Sequence, residues 1–198
     1  MNYESDPIRH RPIDPSTQLA VFGGEKMQGW IANIVNQLEA AERRGASATD
    51  SWRKFGAFRG PEGAIRMEIP DVGSKLKTDT LKITGKEYAD EGAITSFRLE
   101  DLLSHPMLYR NYPQLRDMDV WFTEDLPKNT MGSFNTSGGG ASGHDPYVAL
   151  RPQMGNDSTR SYLLHEIQLW IQEHEDFARG ASPEMWRDPT FDIEYSRN

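Results

Sequence analysis

The chain has no cysteine among its 198 residues. That excludes disulfides, cysteine-ligated zinc, iron–sulfur clusters and thiol catalysis. It has no apolar run near the roughly 18–20 residues that a bilayer span requires, so no membrane span is expected. Met1-Asn2-Tyr3-Glu4-Ser5-Asp6-Pro7 shows no basic stretch leading into an apolar one, so we expect no secretory leader and synthesis in a cytoplasm. Positive charge is also scarce. A net charge of −8 argues against broad, sequence-independent binding to nucleic acid, which needs Lys and Arg in surplus on one face. Arg43, Arg44, Arg53 and Lys54 lie close in sequence, but such a run reads first as a solvated helix face. Aromatic residues make up 10% of the chain, enough to furnish one core and to exclude a wholly disordered polypeptide.

Residues 1–19 carry three prolines and no hydrophobic period, and we read them as an extended arm. Residues 20–180 are expected to form a single α+β domain, and 181–198 an irregular tail. Met27, Trp30, Ile31, Ile34, Val35, Leu38 and Ala41 recur at three- and four-residue spacings, which predicts an amphipathic helix ending near Gly45. A short helix is expected over 48–55. Apolar and charged residues alternate in Ile65–Ile69, as in a half-buried strand, and Leu81–Thr84 repeats the pattern more briefly. Leu99–Leu103 reads as a short helix limited by Pro106, and Asp119–Thr123 as a strand. Met131–Phe134 and Tyr147–Leu150 are expected to pair across the Gly/Ser-rich segment 137–143. A final helix is predicted from about Ser158 to Arg179, with Gly180 as its stop. Helices at both ends with strands between them give the α+β class, with a small, mainly antiparallel sheet.

Inside that last helix stands His165-Glu166-Ile167-Gln168-Leu169. A zinc-peptidase helix reads H-E-x-x-H. Two histidines four apart share a face and grip one ion, and the glutamate takes a proton from the metal-bound water. Here the second histidine is Leu169. Gln172 and Asp176 lie within ~40° of His165 around the axis, but ~10 Å and ~16 Å along it. Metal–ligand bonds of ~2 Å leave neither able to share its ion. His174 falls about 180° away, on the stripe of Leu163, Ile167, Trp170, Ile171 and Ala178, and reads as a packed histidine.

The longer run Leu163–Gly180, LLHEIQLWIQEHEDFARG, resembles the large polyvalent protein-associated domains of phages and prophages that carry a zinc-peptidase-type (HEIQH) helix. Members look like LLHEIQHAIQ, followed shortly by E-G-F-A-R-G-G. Trp52–Pro70 is similar to that family's tryptophan helix and following strand, and Leu99–Val120 to its L-x-D-x-L-x-H-P…Y-P-x-L-x-D segment. Tyr147–Pro152 falls where the family has the strand before the helix; in zinc peptidases that strand pairs with the substrate backbone. The resemblance implies a degenerate zincin-like domain with an N-terminal amphipathic helix, a C-terminal motif helix and extended arms. Two departures bear on activity: Leu169 replaces a ligand, and no second glutamate-bearing helix is expected in residues 181–198.

The expected function is therefore that of a non-catalytic pseudo-metallopeptidase. It would be made in a host bacterial cytoplasm and associate with the virion, among other phage proteins in a multi-subunit assembly. His165, Glu166, Leu169 and Gln172 would be motif remnants, with no cofactor expected. An active zinc enzyme is the alternative, with Glu166 as general base, His165 as ligand and His144 or His105 completing the site. A phage-encoded inhibitor or anti-defence binding protein is the third reading.

Overall fold

The computed structural model of the chain describes residues 21–71, 73–83, 95–136 and 146–177. The N-terminal arm, His144, Gly180 and the C-terminal tail lie outside them. The fold is α+β, with five α-helices among the described residues and small, mainly antiparallel sheets. The chain divides into two compact units, one of residues 1–68 with 172–198 and the other of residues 69–171.

In the first unit, β1 (Val21–Gly23) leads through turns to α1 (Ala32–Glu42) and α2 (Ala48–Phe55), then to β2 (Ala57–Arg59) and β3 (Ile65–Ile69). The sheet order is β1-β3-β2, with Phe58 opposite Arg66 in the antiparallel β2–β3 pair. The predicted first helix starts later than its apolar stripe does. Residues 24–30 form successive turns, closed by Met27 N–H to Gly24 O and Trp30 N–H to Met27 O. Only Leu38 and Ala41 of α1 are buried. The second helix covers the predicted residues because both ends are specified locally. Ser47 accepts the Asp50 amide, and Gly56 takes φ 65° at the C-terminus, where a Cβ would be strained. Phe22 meets Trp52 and Phe58 edge-on at 6.0 and 5.2 Å between centroids. The Trp52 indole N–H donates to Glu68 at 2.8 Å, so its polar end is satisfied where its body is buried.

The second unit begins with β4 (Lys75–Leu76), then β5 (Thr95–Arg98), α3 (Leu99–Leu102), β6 (Leu103–Ser104) and α4 (Pro106–Asn111). It continues through β7 (Asp119–Phe122), β8 (Gly132–Asn135), β9 (Tyr147–Leu150) and α5 (Asn156–His174), whose last three residues belong to the first unit. β4 and β6 pair antiparallel. The larger sheet runs β5-β7-β9-β8, parallel only between β7 and β9. Its register aligns Val120 with Val148 and Phe122 with Leu150, all four buried. Leu163, Leu164, Ile167 and Ile171 of α5 are buried too, and Trp170 meets Tyr112 edge-on.

Three sequence expectations are corrected here. The strand expected over Leu81–Thr84 is not found among its described residues: residues 80–82 form a 3-10 turn. Its geometry is set by tertiary bonds, since the Thr80 amide and hydroxyl go to Asn156 Oδ1 and the hydroxyl also to the Met154 carbonyl. Pro106 opens a helix instead of only limiting one, sitting in its first turn where a missing N–H costs nothing. Finally, α5 ends at His174, short of the predicted Arg179. Asp176 turns left-handed at φ 59°, and Phe177 N–H reaches back to Gln172 O at 2.8 Å, closing the helix. Lys26 Nζ supports this end through the His174 carbonyl and the Asp176 carboxylate.

Candidate functional site

The His165–Leu169 stretch lies in the buried part of α5, yet its polar members go different ways. His165 is exposed, whereas Glu166 is 4% exposed. Leu169 is half-buried, and it stands where the zinc-peptidase pattern needs an imidazole. Gln172 is buried, and its side-chain carbonyl has no hydrogen-bond partner among the described residues.

Glu166 is placed by strand β8. A Cβ at Gly132 would come 2.8 Å from Glu166 Oε1 and 3.1 Å from its Cγ, so the carboxyl group occupies space that only glycine leaves open. Burial pushes this carboxyl above the usual glutamate range; the nearby His165 and the Phe134 amide oppose that rise.

The strand expected to flank the site, Tyr147–Leu150, is β9, and it is hydrogen-bonded on both sides by β7 and β8. It has no free edge for a peptide. The edge beside the motif glutamate belongs to β8, which the predicted pairing of 131–134 with 147–150 contains but does not rank as outermost.

The other histidines are equally specific in place. His105 is 1% exposed and caps α4: its Nδ1 accepts the Leu108 amide at 3.3 Å. Its Nε2 then carries the hydrogen, buried and without a partner among the described residues. Burial lowers its pKa, with Asp71 acting in the opposite direction. His105 is thus not presented as a ligand beside His165. His174 is half-buried at the end of α5, and His144 lies outside the described residues. Among the described residues, no three His, Asp or Glu side chains are grouped to hold a metal ion.

Sequence reasoning missed Arg151, which follows β9 directly. Its guanidinium donates to the carbonyls of Thr130 (2.7 Å), Leu126 (2.7 Å), Pro127 (3.0 Å) and Glu124 (3.3 Å). Its own amide donates to Met131 O at 3.0 Å. One side chain thereby shapes the whole approach to β8. A lone arginine after a strand carries no sequence signal for this, because its acceptors are main-chain carbonyls.

Comparison with known proteins adds one partial likeness. A stretch of 98 residues is 30% identical to part of Protein SIEVE ELEMENT OCCLUSION B of Arabidopsis thaliana, taking in 48% of this chain and 13% of that protein. No family model matches the chain. No solved structure matches it either.

Proposed function

We propose that the chain is a catalytically silent, zincin-like binding protein of the phage polyvalent-protein type, working as one subunit of a virion-associated assembly. The observation that carries this reading is the contrast in exposure between His165 and Glu166. In a working site the glutamate must reach the water on the metal that the histidine holds. Here the glutamate is sunk against Gly132, the imidazole is exposed, and an aliphatic side chain stands at the second ligand position. A single imidazole does not retain zinc through turnover. The phage setting and the assembly role rest on the resemblance of Leu163–Gly180 to the family helix.

Elemental analysis of chelator-free protein tests the silent site: zinc far below one per chain is expected, and stoichiometric zinc would overturn it. Leu169→His puts two imidazoles four residues apart, and should tighten zinc binding by roughly tenfold or more, about 1.4 kcal/mol, without peptide cleavage. Cleavage by that variant would mean that the catalytic arrangement survives. Co-sedimentation with purified particles at a fixed copy number tests the assembly role, and absence from particles would refute it.

A further inference from the structure

We propose that the second unit holds a small-anion site around Ser74, where the Ser74 hydroxyl, His105 Nε2–H and Arg160 Nε–H donate to one halide ion, chloride in ordinary salt. The site uses none of the motif residues, so it stands whether or not the His165 face binds zinc.

Ser74 is 5% exposed and His105 1%. Ser74 Oγ, His105 Nε2 and Arg160 Nε are all buried, and none has a hydrogen-bond partner. Buried polar atoms without partners are rare, because each gives up water and gains nothing. These three are neighbours. Arg160 Nη1 donates to the Ser74 carbonyl at 3.2 Å, which brings the guanidinium to Ser74. The β4–β6 register pairs Lys75 with Ser104 and Leu76 with Leu103, so His105 stands across from Ser74 at the next position. The Lys77 amide donates to the Leu102 carbonyl at 2.8 Å. Hydrogen-bonded pairs therefore fall at 77/102 and 75/104, and 74/105 is of the closer kind, with Cα atoms ~4.5 Å apart. All three atoms offer hydrogens. His105 Nδ1 is spent on the Leu108 amide, so Nε2 carries the proton. The arginine nitrogen only donates, and the serine hydroxyl turns to suit. Three donors need an acceptor, and beside a guanidinium a charged acceptor bonds more strongly than a neutral one. All three atoms are shut off from solvent, which favours a monatomic ion over phosphate or sulfate. Asp71 adds a negative charge near His105. The ion is thus held by its hydrogen bonds and the guanidinium charge, not by a wide positive field.

Thermal unfolding of the full chain and of Ser74→Ala, in sodium chloride and in sodium gluconate at equal ionic strength, tests the site. An ion that binds only the folded chain stabilises it, increasingly with concentration. Comparing wild type with the variant in each salt cancels the general effects of salt. In gluconate, whose anion is too large to enter, Ser74→Ala should melt no lower than wild type, since it removes a hydroxyl without a partner. In chloride it should melt below wild type, by a margin that grows with chloride. Arg160→Lys keeps the charge but not the Nε–H, and should weaken chloride binding roughly tenfold. Should Arg160→Lys not fold, Ser74→Ala carries the comparison alone. Crystals grown in bromide should show a bromine anomalous peak beside Ser74 Oγ. A difference between wild type and Ser74→Ala that is the same in both salts, or bromide crystals without a peak at Ser74, would overturn the proposal. Zinc content is read separately, so either result leaves the silent-site reading where it stands.

Discussion

In the first unit the buried Arg66, 1% exposed, answers to a side chain of opposite charge. Its Nε and Nη2 donate to Glu62 Oε1 at 3.1 and 2.8 Å, and its guanidinium lies 4.5 Å from the centre of the Phe177 ring. In the second unit the buried ionisable groups answer to the main chain. His105 accepts the Leu108 amide, and the less buried Arg151 donates to four carbonyls. An ion pair compensates charge with charge. A single amide dipole compensates less of the desolvation, so His105 is pushed down toward its neutral form, and burial pushes Glu166 up toward its own. Arginine has no neutral form to retreat to, and it takes four carbonyls instead.

The contrast breaks most visibly at Glu62. Glu62→Ala takes the carboxylate away from a buried guanidinium and should cost about 3–5 kcal/mol, read as a lower urea midpoint at unchanged slope. Arg66→Met leaves the charge on Glu62, whose side chain keeps 19% of its exposure and can be hydrated, and keeps an apolar contact for Phe177. It should cost less than half as much. Equal losses would mean that Arg66 is reached by water and that the ion pair is not the organising contact.

Arg151 comes next. Arg151→Ala removes donors from the 124–130 bend and should cost about 1.5–3 kcal/mol, the usual range for hydrogen bonds to a charged group. Arg151→Lys keeps the charge but not the planar fork, and should recover less than half of that. A full recovery by lysine would show that charge alone holds the bend, and would remove Arg151 from the main-chain class.

What could be foreseen divides along the same line of local against distant causes. α2, β3, β7 and the β8–β9 pair are legible because alternation, a serine cap and a glycine stop act within a few residues. The α+β class follows from them. The start of α1 was hidden because Met27 and Trp30 keep the helical spacing while the backbone turns instead. The Thr80 turn was hidden because its partners stand 74 and 76 residues away. The parallel β7–β9 pairing encloses β8 in its connection, and no turn signature announces it. At the site, the loss of the second imidazole could be read directly at Leu169. The sinking of Glu166 could not, because it depends on Gly132 lying beside the helix, and that is a fact of register and not of spacing.

His105 gives the smallest effect and the sharpest test of main-chain pairing. Burial holds its folded pKa below the ordinary 6.5. The unfolded chain therefore binds more protons as pH falls through that value, and the stability that neutral His105 contributes, fully present above it, is progressively lost below it. Glu166 works with the opposite sign: a raised folded pKa favours the folded state at low pH and less so as pH rises. The wild-type curve sums both, so the informative quantity is the difference from a His105→Asn variant. Asparagine is a good helix cap and can still accept the Leu108 amide, but it does not titrate. Its stability relative to wild type should fall little above pH ~7 and improve steadily as pH drops through ~6.5 toward ~5. Parallel curves across that window would mean that His105 is protonated within the fold at little cost, with the charge of Asp71 outweighing burial.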